Sequence, residues 1–193
     1  MRRLIRCTQD SYITTKIVGG VRVTDANTGQ AGTLDLYKLY DETYLSGSSH
    51  PIEVSRALLK FDIASLSAVT NSIDLNDPSF KCFVRLSDIY GGRPTPSNFT
   101  LVLFPLAQEF SEGRGMDVAA YRDVDAVNWV TASVTNGVPV LWNTSGVSAS
   151  GSIGTSSLDY YSTSAPLLGS VSLGVSQRFQ RGGDALKLDV TPL

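Results

Sequence analysis

Apolar residues fall at every second position along this 193-residue chain, in runs that Gly, Pro, Asn, Asp and Ser cut short. That pattern constrains the fold more than any other feature. Period two puts successive side chains on opposite faces of an extended strand, whereas a helix requires spacings of three and four. Turn signals recur roughly every eight to twelve residues, as in an all-β sandwich. The clearest run is Ser55-Arg56-Ala57-Leu58-Leu59-Lys60-Phe61-Asp62-Ile63-Ala64-Ser65-Leu66. It is expected to form a core strand. Ala57, Leu59, Phe61 and Ile63 would point inward, with Arg56, Leu58, Lys60 and Asp62 on the other face. Such a placement makes Phe61→Ala cost roughly 3–5 kcal/mol.

The rest of the chain follows the same rhythm. Residues 2–8 and 11–18 are strand pieces with a bend or bulge at Gln9-Asp10, and Gly19-Gly20 ends the second. Residues 24–33 are a turn-rich loop, 34–40 a strand and 45–51 a Ser/Gly loop. Residues 80–89 alternate with Phe80, Cys82, Val84 and Leu86 on one face. Residues 99–107 are apolar on both faces, as in a central strand, but Pro105 points to an edge or bulge; both readings stand. Leu186, Leu188 and Val190 alternate with Lys187 and Asp189 in a last strand. Helical turns are expected only at 64–70 and 108–112. The expected architecture is one domain over 1–193, a β-sandwich or jelly roll with long Ser/Gly-rich loops.

Between residues 126 and 177 the only charge is Asp159. A solvated linker has little use for Trp129, Trp142, Tyr160 and Tyr161, so the block is expected to hold short strands joined by Ser/Gly loops. Asp159 is expected to be solvated and tolerant of substitution. A buried, paired Asp159 would instead mark the block as an interface.

Composition excludes several functions. Sixteen Lys and Arg against 18 Asp and Glu leave no basic footprint for nucleic acid. No apolar run is long enough to span a membrane. Met1-Arg2-Arg3 is not followed by an apolar stretch, so synthesis in a cytoplasm without an export signal is expected. Cys7 and Cys82 are expected to be reduced, unpaired and buried. His50, the lone histidine, sits in a Ser/Gly loop and reads as solvated. Gly113-Arg114-Gly115 reads as a turn, and Glu109, Glu112 and Asp117 as an acidic loop rather than a glycosidase pair. Asp10, Asp62, Asp184 and Asp189 lie beside strands, where turn caps are favoured over a structural calcium. The chain is therefore expected to be no enzyme, with no cofactor and no metal site. Trp129, Trp142, Tyr160 and Tyr161 are candidate glycan-stacking or interface aromatics. Leu4, Arg6, Leu186 and Leu188, on the terminal strands, are interface candidates.

Three motifs carry a family resemblance. They are Arg56-Ala57-Leu58-Leu59-Lys60-Phe61-Asp62-Ile63-Ala64-Ser65-Leu66, then Phe104-Pro105-Leu106-Ala107-Gln108-Glu109-Phe110-Ser111-Glu112-Gly113 with Trp129 and Trp142 downstream, then Leu186-Lys187-Leu188-Asp189-Val190-Thr191. In this order they resemble the DNRLRE-type β-jelly-roll modules. Some members of that family are carbohydrate-binding modules of secreted enzymes and cell-wall proteins. Others are similar to uncharacterised virion structural proteins of tailed bacteriophages, toward which the uncharged Ser/Gly block leans. The resemblance implies a non-enzymatic virion component, serving in capsid decoration, tail or baseplate. It would act through contacts with other virion proteins, as a homo-oligomer or part of a larger assembly, assembled in the host cytoplasm. The alternative it implies is a carbohydrate-binding module recognising a host-surface glycan. Further strands usually follow the third motif in the family. Here Pro192-Leu193 follows it, so the terminal strand edges are expected to be completed by assembly.

Overall fold

The computed structural model describes residues 2–40, 52–64, 73–74, 76–89, 98–120, 125–147, 159, 174–180 and 185–192. Among them the regular elements are strands, as the period-two pattern requires. They are β1 (Cys7–Thr14), β2 (Ile17–Val18), β3 (Val21–Arg22), β4 (Lys38–Tyr40), β5 (Ile52–Phe61), β6 (Phe83–Leu86), β7 (Phe99–Leu103), β8 (Thr131–Thr135), β9 (Val138–Leu141), β10 (Val175–Phe179) and β11 (Leu186–Asp189). Residues 108–112 form no helical turn. Ala64 carries helical geometry, and the rest of the turn expected at 64–70 lies outside the described residues. The chain divides into two compact units, residues 1–64 with 108–159 and residues 65–107 with 160–193.

In the first unit β5 is the centre of an antiparallel sheet ordered β1-β5-β4. The bend expected at Gln9-Asp10 is a register shift between Cys7 and Gln9, and β1 runs through it as one strand. Among the described residues the unit's other ladders are two short hairpins. β2 and β3 reverse through Gly19-Gly20, and β8 and β9 through Asn136-Gly137. All four turn residues have positive φ, the geometry that two-residue hairpins favour and that Gly and Asn tolerate.

Burial along β5 changes face partway, instead of keeping Ala57, Leu59, Phe61 and Ile63 inward as expected. Leu58 is 3% exposed, whereas Ala57, Leu59 and Phe61 are only half-buried and Ile63, beyond the strand, is 68% exposed. Ile13, fully buried, pairs with Arg56, and Ser11 pairs with Leu58. Tyr12 and Thr14, buried too, pair with Ala57 and Ser55, so both faces of β5 are covered there. Period two identifies two faces but does not say how burial is shared between them, and long cationic side chains can cover a core with their aliphatic stems.

In the second unit two antiparallel ladders, β7 with β10 and β6 with β11, share one core. Phe179, Leu186 and Leu188 form its centre, with Val84, Leu86, Phe99, Leu101, Leu103, Val175 and Val190 packed on them. The rings of Phe99 and Phe179, directly paired across β7 and β10, stack 4.7 Å apart. Here the sequence pattern and the packing agree: Leu186 and Leu188 are buried, Lys187 and Asp189 exposed. β7 ends at Leu103, so Pro105 lies just past the ladder and removes no hydrogen bond from it.

Candidate functional site

The two tryptophans flank the β8–β9 hairpin, and both are tied to backbone. Asn128 accepts hydrogen bonds at its side-chain oxygen from the N–H groups of Val130 and Thr131, both at 2.8 Å, which fixes the entry into β8. The indole N–H of Trp142 donates to the Asn128 carbonyl at 3.0 Å. Trp142 is 5% exposed, so it is a core residue and not a stacking platform.

Trp129 is half-buried. The Arg56 guanidinium lies over its ring, 5.0 Å from the centroid. The same guanidinium donates to the Gly146 carbonyl. Gly146 has φ +81° and packs so close that a Cβ there would collide with the benzo ring of Trp129. Its N–H donates to the Trp129 carbonyl at 2.6 Å.

Asp159 holds this corner from the other side. It is 1% exposed and accepts the Asn143 N–H at 2.7 Å and the Thr144 N–H at 2.8 Å. The expectation of a solvated acid is overturned. In an uncharged block a lone carboxylate escapes solvent only by taking backbone donors, and two adjacent N–H groups supply them. The turn it secures includes Val147 at φ +57°, a conformation that costs a β-branched residue on the order of 1–3 kcal/mol.

A second polar centre was not singled out from sequence. Asn27, fully buried, makes all its amide hydrogen bonds to backbone. Its NH₂ donates to the carbonyls of Glu112 and Val127, each at 2.8 Å. Its oxygen accepts the N–H groups of Gly115 at 2.7 Å and Gly29 at 3.3 Å. Gly113 and Gly115 press on Asn27, with no room for a Cβ at either. Gly113-Arg114-Gly115 is thus a turn, as expected, and also the cradle of a buried amide. Thr28 does similar work beside it: its hydroxyl donates to the Tyr12 carbonyl at 2.7 Å and accepts the Tyr12 N–H at 3.0 Å.

The acids that resembled a loop cluster have separate tasks. Glu109 pairs with Lys60. Glu112 accepts the Asp10 N–H at 2.8 Å. Asp117 accepts the N–H groups of Ala119 and Ala120 at 2.7 and 2.6 Å. Burial, with the nearby Glu112 charge, raises the Asp10 carboxyl above its ordinary range. Hydrogen bonds from Thr191 hold Asp189 below it, as a turn cap should. Burial pushes the Tyr12 phenol up to about 12, helped by the charges of Asp35, Tyr37 and Asp117. Among the described residues no three His, Cys, Asp or Glu side chains form a cluster that could hold a metal.

Cys7 and Cys82 are unpaired, but neither is the buried hydrophobe expected: Cys7 is half-buried and Cys82 exposed. The Cys7 thiol is raised above its ordinary range by burial, with the neighbouring acids Asp10 and Glu112 adding to the rise. Leu186 and Leu188 face the second unit's own core, so their side chains are not available at an interface. Leu4 and Arg6 are exposed. Tyr160, Tyr161, His50 and Asp184 lie outside the described residues. No protein-family model, curated protein or solved structure matches this chain. The DNRLRE resemblance therefore rests on its three motifs alone.

Proposed function

We propose that this chain is a non-enzymatic structural component of a tailed-bacteriophage virion, a β-sandwich of jelly-roll type that works through protein–protein contacts. The observation that carries the reading is how the reactive-looking groups are used. Glu109, Glu112, Asp117 and Asp159 each bond to the chain's own cation or backbone, and Asn27 holds three loops together. Groups committed in this way brace a scaffold and are not free to move protons on a substrate. Apolar side chains meanwhile face outward on the uncharged β8–β9 hairpin, where Val138 is 64% and Leu141 56% exposed. The resemblance supplies the virion, with assembly in the host cytoplasm and a place in capsid decoration, tail or baseplate. Mass spectrometry of purified particles tests it: a stoichiometric copy is expected, and its absence overturns the reading.

A carbohydrate-binding module is the alternative. It retains Trp129, half-buried with Arg56 over one face, but not Trp142. A glycan array with binding abolished by Trp129→Ala would support it over the structural reading.

A further inference from the structure

Residues 2–6 precede the first strand of the first unit, with Ile5 half-buried and the other four residues exposed. β1 begins at Cys7, whose ladder partner Phe61 is the last residue of β5, so the chain before Cys7 runs beyond its sheet. Among the described residues no hydrogen bond, ion pair or ring contact joins Arg2, Arg3, Leu4, Ile5 or Arg6 to the fold. The three arginines are exposed, and Leu4 is 79% exposed. Extended, this stretch reaches roughly 17 Å. Period two then puts Arg2, Leu4 and Arg6 on one side, a leucine between two cations.

The same chain carries the opposite charge elsewhere. Without residues 1–6 the first unit has 13 Asp and Glu against 7 Lys and Arg, a balance of −6. The second unit has 5 against 6, a balance of +1. With the three arginines these give the whole-chain −2. Asp25, Asp35, Asp62, Asp117 and Asp125 are exposed on the first unit.

We infer that residues 2–6 dock onto the acidic first unit of a second copy of this chain, Arg2 and Arg6 meeting carboxylates and Leu4 covered between them. Charge selects this occupant, because a segment of +3 and a unit of net charge −6 with five exposed aspartates are present on every copy. Each copy both gives a segment and receives one, so the contact closes on itself as a two-fold dimer. The inference deepens the assembly reading and rests on it for the claim that contact between chains is the protein's task.

The test is sedimentation of the full chain at low and high salt, beside the triple variant Arg2→Glu, Arg3→Glu, Arg6→Glu and the single variant Leu4→Ser. The wild type is expected to dimerise at about 0.05 M salt and to weaken on the order of tenfold by about 0.3 M. Charge reversal should weaken the dimer about 100-fold and Leu4→Ser roughly tenfold. Circular dichroism and thermal melting of both variants should match the wild type, because among the described residues no backbone hydrogen bond involves residues 2–6. A wild type that stays monomeric to ~100 μM overturns the inference, as does a dimer indifferent to the reversed charges. So does a monomer that binds duplex DNA through the same arginines. A chain that is stoichiometric in particles yet monomeric in solution removes this inference and leaves the structural reading. A salt-sensitive dimer absent from particles removes the virion reading and leaves the dimer.

Discussion

The two units hold themselves together with different chemistry. The second has an apolar centre of Phe179, Leu186 and Leu188, supplied by β10 and β11 and packed by alternating positions of β6, β7 and β10. The first buries Ser11, Thr14, Asn27, Thr28, Glu53, Asn128 and Asp159 beside Ile13, Leu58, Val127 and Trp142. Its loops are joined to strands by side chains that bond to backbone, as Asn27, Thr28, Asn128 and Asp159 do. An apolar core tolerates some change of shape, because its attraction is not directional. A buried polar centre does not, because each donor or acceptor left without a partner costs roughly 1–3 kcal/mol. The first unit should therefore be sensitive to polar substitutions that exchange little volume, and the second to loss of volume.

The largest effect is expected at Asn27. Asn27→Leu is close in size but strands two carbonyls and two N–H groups, and should cost roughly 4 kcal/mol or more in denaturant unfolding. A cost near zero would erase the distinction between the units. Leu188→Ala should follow at roughly 2–4 kcal/mol, from lost burial and the cavity left. Asp159→Ala removes the acceptor of two buried N–H groups and should cost about 2 kcal/mol; the same substitution in a solvated loop would be silent in a thermal melt.

On β5 the comparison sharpens further. Leu58→Ala should cost roughly 2–4 kcal/mol and Phe61→Ala about 1–2, since Phe61 is only half-buried. The reverse order would make Phe61 the better-packed of the two. The smallest effect is at high pH. Folding raises the Tyr12 phenol from 10.0 to about 12. A raised folded pKa means that the stability it reflects is complete below about 10 and is lost as pH climbs through about 12. Tyr12→Phe should flatten that part of the stability-versus-pH curve; an unchanged slope would place the phenol in solvent.

Legibility in the sequence follows the same division. Leu186, Leu188, Val84 and Leu86 were readable as inward residues because alternation and burial coincide in a thin two-ladder unit. Gly19-Gly20 reads as the end of a strand and is the turn of a hairpin, and the Asn136-Gly137 turn was missed although Asn-Gly is a strong short-range hairpin signal. Asn27 was not readable, since an Asn between Ala26 and Thr28 in a turn-rich loop looks like any solvated breaker. Its only trace was the pair Gly113 and Gly115, some 85 residues away, whose missing side chains make room for it. Asp159 misled for a related reason. A lone acid among Ser, Thr and Gly suggests solvent, and the donors that bury it are backbone groups, which no sequence pattern displays. The tryptophans were singled out with Tyr160 and Tyr161 as candidate stacking or interface aromatics, but Trp142 is buried, and Arg56, which covers Trp129, comes from a strand far away in sequence.

The central claim is that buried polar side chains, through backbone hydrogen bonds, hold the first unit's loops as firmly as its ladders hold its strands. Hydrogen exchange measures this directly at the N–H groups of Gly115, Thr131, Asn143 and Thr144, each bonded to a side-chain oxygen. The account predicts protection close to that of Tyr12 and Ile13 in β1, lost at Gly115 in Asn27→Leu and at Asn143 and Thr144 in Asp159→Ala. Exchange of all four in the wild type at the rate of an unprotected loop would contradict it.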